Sequence, residues 1–168
     1  MLSSAKFTTQ DLTRLSILLA LAISLRLVEN SLPYIVAVPG ARLGLANCLT
    51  IVVLYLYGFR KTSWFLLARI VLVGLISTGL FSSGFWIGLG GAVFSFAAMA
   101  LAQEKKWLSP AGVGLLGAFC HNCGQIIVAE HFLAAPSLFY YLPLLILVGI
   151  PTGLLTGFLA GMILKRIK

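Results

Sequence analysis

The chain has little acid. Asp11, Glu29, Glu104 and Glu130 are its only carboxylate side chains in 168 residues, and charged residues of both signs make up 10%. No two of these acids lie close enough in sequence to form the carboxylate-rich Mg²⁺ motif that diphosphate chemistry uses. Two histidines, His121 and His131, leave serine and cysteine nucleophiles few bases. The Gly-x-x-x-x-Gly-Lys-[Ser/Thr] phosphate loop is missing, so ATP hydrolysis in any pump containing this chain falls to another subunit. Three cysteines offer one Cys-x-x-Cys spacing, Cys120 to Cys123, with no second pair to complete a tetrahedral zinc site. They read as small packing residues, and no metal is expected. Nothing in this inventory argues for catalysis.

What is abundant is apolar surface: 60% of residues are hydrophobic and the mean hydropathy is +1.06. A soluble domain of this length has no use for so much. The apolar residues fall into six runs, 11–28, 43–57, 62–80, 85–103, 111–130 and 140–164, each of the order needed to cross a bilayer. The runs are continuously apolar rather than alternating, which favours helices over a transmembrane barrel. The expected fold is therefore all-α, a compact bundle of six transmembrane helices forming one integral membrane domain over 1–168.

Positive charge falls in alternate gaps between the runs. Lys6 and Arg14 precede the first, Arg60 and Lys61 follow the second, Lys105 and Lys106 follow the fourth, and Lys165, Arg166 and Lys168 follow the sixth. The positive-inside rule then puts both termini in the cytoplasm. The net charge of +8 is a topology signal directed at anionic lipid headgroups, and no nucleic acid partner is expected. The first 25 residues have the outline of a signal peptide, but Arg26 interrupts the apolar stretch where cleavage would fall, so the segment reads as the first helix.

Three arginines are not explained by topology: Arg26 toward the outer end of the first helix, Arg42 opening the second, and Arg69 inside the third. A charge at membrane depth costs about 2.5–3.5 kcal/mol on insertion scales, so Arg69 either faces a cavity or partner or snorkels to the cytoplasmic surface. The fifth run carries the densest polar cluster, with His121 and Gln125 four apart on one face and Asn122 beside them. Such groups contact a ligand in a dry site or hydrogen-bond neighbouring helices. Arg26, Arg42, Asn47, Arg69, His121, Asn122 and Gln125 form the expected substrate-binding set, and two basic groups near the outer face favour an anionic ligand.

Two stripes of small residues point to close helix contacts, inside the bundle or with another subunit. Gly149, Gly153, Gly157 and Gly161 recur every four residues on the last helix, where Pro151 is expected to introduce a kink. Ser16, Ala20 and Ser24 do the same on the first.

PGARLGLAN (39–47), GAFCHNCGQIIVA (117–129) and YYLPLLILVGIPTGLLTG (140–157) resemble the Gx transporter family, also labelled heptaprenyl diphosphate synthase component I. That family is similar to the substrate-binding S-components of energy-coupling factor transporters. The resemblance implies a bacterial cytoplasmic-membrane protein that captures a small molecule from outside. It implies as partners a transmembrane coupling subunit and two cytoplasmic ATPases, with ATP used only by those partners and no cofactor in this chain. A small-residue motif on the first helix of S-components meets the coupling subunit; here Ser16, Ala20 and Ser24 match, with serines replacing alanine at two positions. The first outer loop of such proteins helps close the site, and the corresponding segment here is 30–40, with Pro33, Pro39 and Gly40. The family's label points to isoprenoid or quinone precursors, and Tyr34, Phe85 and Trp86 would also suit stacking on a flavin-like compound. The rival reading is a membrane component of polyprenyl diphosphate synthesis.

Overall fold

The computed structural model describes residues 8–31 and 44–167, all of its regular structure helical. Five α-helices follow in order: α1 (Thr9–Ser31), α2 (Leu45–Val73), α3 (Ser83–Glu104), α4 (Pro110–Leu133) and α5 (Leu142–Ile167). A π-helical turn, Gly74–Thr78, extends α2, and a 3₁₀ segment, Pro136–Tyr141, leads into α5. Their starts are written locally. Thr8 and Asp11 exchange backbone and side-chain hydrogen bonds at 3.3 and 3.2 Å, a reciprocal cap for α1. Ser82 and Ser109 each accept from a backbone N–H three residues on, and Pro110 takes the first position of α4, where its missing donor costs nothing.

The six expected helices appear as five elements because the second and third run together as α2. The break between them is one residue wide. Gly58, at φ 74° and ψ −178°, adopts a conformation open essentially only to glycine. The chain folds back there: Arg69 hydrogen-bonds to Ala46, Asn47 and Thr50, whereas residues 46 and 69 of an unbroken helix would lie about 35 Å apart. Residues 45–57 and 59–73 are thus two antiparallel arms. The second arm ends at Val73, short of the expected 80, because the backbone widens into the π turn and then leaves the helix at Gly79, φ 78°. Pro151 lies within α5, which continues through it.

By length and composition, three stretches are apolar enough to cross a membrane: Ser83–Glu104, Pro110–Leu133 and Pro136–Ile167. Large apolar side chains also cover the outside of the molecule, among them Ile17, Trp64, Leu147 and Phe158, each at least 59% exposed. This is the surface of a membrane protein, with an apolar exterior as well as an apolar core.

The helices are held in two ways. Within α3–α4–α5, backbones touch. A Cβ on Gly114 would fall 2.5 Å from the Gly153 carbonyl, and one on Gly124 would fall 2.8 Å from the Gly90 carbonyl. α1 instead packs through side chains, Leu15 and Ala22 meeting Leu49, Val53 and Phe65 of α2. Asp11 and Lys61 pair at 2.7 Å, joining the start of α1 to the Gly58 bend. At its far end, Asn30 donates to Ser77 at 2.8 Å. Phe59 stacks on Phe96 at 5.1 Å, and Gly161 lies against Pro110. The bend, the α3–α4 connection and the end of α5 therefore share one end of the bundle, and Arg14, Arg60, Lys61, Lys105, Lys106, Lys165 and Arg166 gather there.

Candidate functional site

All five helices contribute to one partly open cavity of about 120 Å³. Its polar lining begins at the end away from the basic clusters. Arg26 of α1 points its guanidinium at Glu29, Nη1 to Oε2 3.3 Å, and Glu29 also accepts the Leu45 backbone N–H, which ties the start of α2 to α1. Arg69, from the second arm of α2, donates through Nη1 to the Ala46 carbonyl and the Thr50 hydroxyl, both at 2.7 Å, and through Nη2 to Asn47 Oδ1 at 3.2 Å. Its partners are therefore neutral. Two guanidinium groups thus stand beside one carboxylate, and the described part of the site carries an uncompensated positive charge.

The α3–α4 wall supplies His121, Asn122 and Ser95. Asn122 is spoken for, donating to the Leu145 carbonyl at 2.8 Å and filling the space left by Gly149. The His121 ring packs on Gly91, where a Cβ would come within 2.8 Å of Cε1, and its buried Nδ1 makes no well-formed hydrogen bond. The Ser95 hydroxyl, also buried, has no partner among the described residues. Apolar residues separate these groups: Ile51, Ile70, Leu89, Ala92 and Met99.

Of the expected substrate-binding residues, Arg26, Asn47, Arg69, His121 and Asn122 line this one cavity. Gln125 is buried against Gly91 on the α3–α4 interface instead, as its Cγ would lie 2.7 Å from a Cβ there. Arg42, Tyr34, Pro33, Pro39 and Gly40 lie outside the described residues. Two participants escaped the sequence reading. Glu29 could have been found from its i, i+3 spacing to Arg26. Ser95 is the lone polar side chain in the apolar stretch 84–102, a signal of the same kind as Arg69.

The two small-residue edges have different surroundings. Gly149, Gly153 and Gly157 abut Asn122, Ala118 and Gly114, and Pro110 and Ala111, so their docking partner is α4 of the same chain rather than another subunit. Gly161 sits beside Pro110 with more room. Ser16, Ala20 and Ser24 are exposed along α1, Ser24 turning its hydroxyl back to the Ala20 carbonyl at 2.9 Å.

An apolar helical bundle with a small basic cavity among its helices defines the class: a membrane protein built around a polar site between them. The family model of heptaprenyl diphosphate synthase component I matches residues 18–163, and the chain belongs to that family, which is part of the Gx transporter family. No curated protein and no solved structure matches it.

Proposed function

We propose that this chain is the substrate-capturing subunit of an importer of the energy-coupling factor type in a bacterial cytoplasmic membrane. Its helical rods, counting the two arms of α2 separately, would span the bilayer six times with both termini inside. The basic residues gathered at one end support that orientation. The cavity would then take a small anionic, partly apolar compound from outside and involve no covalent chemistry. A transmembrane coupling subunit would dock on the exposed Ser16–Ala20–Ser24 edge, and two cytoplasmic ATPases would drive release.

The observation that carries this reading is the Arg26–Arg69 pair held inside an apolar bundle, since a buried positive charge with one acid beside it is expensive unless an anion completes it. Size narrows the ligand. Pockets for drug-sized molecules measure roughly 300–1,000 Å³, so a cavity of about 120 Å³ favours a compact acid such as a quinone precursor over a flavin or a whole polyprenyl diphosphate.

The family's description favours a second reading, a membrane component of polyprenyl diphosphate synthesis, with the arginines on a diphosphate and metal-binding carboxylates from another chain. Isolation of the tagged protein from its native membrane in mild detergent, followed by mass spectrometry, separates the two. Two ATPases and a membrane coupling protein support import. A soluble prenyl-transferring enzyme in their place would replace import with the second reading.

A further inference from the structure

Four hydroxyl side chains are buried among the described residues, and three of them look inward to their own helix. Thr50 donates to the Ala46 carbonyl at 3.3 Å, Thr62 to Gly58 at 2.7 Å and Thr156 to Gly153 at 3.0 Å. This return bond one turn back is the usual way a serine or threonine is accommodated in an apolar helix. Ser95 departs from it. It is 3% exposed, makes no hydrogen bond to the described residues, and lines the cavity. A buried hydroxyl without a partner costs about 1–3 kcal/mol, and native proteins hold few such groups without a reason.

Its depth can be read from the helices. Gly74 and Phe85 stand side by side, a Cβ on Gly74 falling 2.8 Å from Phe85 Cδ2. From that level Arg69 lies five residues down the second arm of α2 and Ser95 ten residues down α3. At 1.5 Å per residue the Ser95 backbone lies roughly 7 Å farther along the bundle than the Arg69 backbone. Leu89, Ala92 and Ile70 line the space with them. Gly117 leaves room beside the hydroxyl, because a Cβ there would come within 3.2 Å of Ser95 Oγ.

We infer that Ser95 is a ligand-contacting, specificity-determining residue. The ligand it selects is a compact anion whose acidic group meets Arg26 and Arg69 and whose small apolar body carries a neutral hydrogen-bonding group, a hydroxyl or carbonyl, at the opposite end. This inference rests on the anion-capture reading above and sharpens it. An acid with a purely hydrocarbon far end leaves Ser95 unpaired and binds less well, as sites built to pair a polar group reject analogues that lack it.

Benzoate and 4-hydroxybenzoate are suitable probes, differing only in the far hydroxyl, and binding is measured by calorimetry on the purified full chain in detergent. The wild-type protein is expected to bind 4-hydroxybenzoate about fivefold more tightly than benzoate, the value of one neutral hydrogen bond. In Ser95→Ala that advantage disappears. The melting temperature of Ser95→Ala without ligand stays the same or rises, since removing an unpaired buried hydroxyl breaks no hydrogen bond. A clear drop in melting temperature means that Ser95 serves packing and overturns the inference. So does an advantage that survives in Ser95→Ala. If both acids bind equally to the wild type, and both are lost in Arg26→Gln, the Ser95 assignment fails while anion capture stands. If neither acid binds the wild type, a compact acid with a polar far end is the wrong ligand class and the inference falls; the capture reading is decided independently by the proteins isolated with the chain.

Discussion

Arg69 and Thr50 meet at 2.7 Å, guanidinium to hydroxyl, across the two arms of α2. Together with the Ala46 and Asn47 contacts, this makes one side chain both a wall of the cavity and the clasp of the hairpin. Arg69→Gln is expected to lower the melting temperature substantially, because each lost bond to a charged group is worth about 1.5–3 kcal/mol. Arg69→Lys should not restore it, since an ammonium lacks the planar fork that reaches three acceptors at once. Asp11→Asn, which weakens the half-buried pair with Lys61 but keeps an oxygen for the cap with Thr8, should lower the melting temperature less than Arg69→Gln does. Equal effects from Arg69→Gln and Asp11→Asn would show that Arg69 is not the clasp.

Gly58 tests the bend itself. Nothing lies within 4 Å of a Cβ placed there, so the penalty of Gly58→Ala comes from backbone conformation alone. About 1–3 kcal/mol of destabilisation is expected, read as a lower yield of monodisperse protein and a lower melting temperature. An unchanged melting temperature would mean the bend tolerates an ordinary residue.

The glycine edge of α5 should respond unevenly. Gly153→Ala puts a methyl 2.7 Å from Ala118 Cβ and 3.0 Å from the Gly114 carbonyl, while Gly161→Ala meets only Pro110 at 3.6 Å. The first should cost about 1–3 kcal/mol through overpacking, and the second should be neutral. Thermal melts of the two variants side by side decide it, and a neutral Gly153→Ala would refute the close approach.

For α1 the expected result is separation of folding from assembly. Ala20 is exposed, so Ala20→Leu should leave the melting temperature and anion binding intact while the coupling proteins no longer co-purify. Loss of anion binding as well would assign Ala20 to packing.

The helices were legible in the sequence because each is one long apolar run. The runs 85–103 and 111–130 became Ser83–Glu104 and Pro110–Leu133, extended by the caps Ser82 and Ser109. The merger of the second and third runs was not legible. Arg60 and Lys61 look like a loop, yet the reversal needs only Gly58, and helical geometry resumes at once. The convergence of Arg26, Asn47, Arg69, His121 and Asn122 followed from a general cost: polar groups at membrane depth collect where they can be satisfied. Their individual partners did not follow from it. Nothing in sequence tells that Asn122 turns to the Leu145 carbonyl, that Gln125 turns to α3, or that Ser95 forgoes the return bond made by the other buried hydroxyls among the described residues. Those choices belong to the space that neighbouring glycines leave, and which helix fills it is a tertiary fact.

The glycine contacts among α3, α4 and α5 also divide the molecule mechanically. Where backbones touch through missing side chains, sliding one helix past another means immediate collision, so these three move as a block. α1 and the α2 hairpin rest on that block through deformable side chains, bound to each other by the Asp11–Lys61 and Glu29–Leu45 links. The cavity straddles the seam. If the chain captures a small molecule as proposed, a pull on α1 would carry α2 along and draw Arg26 and Arg69 away from Ser95 and His121, letting the molecule go by parting the two walls, with neither wall itself unfolding.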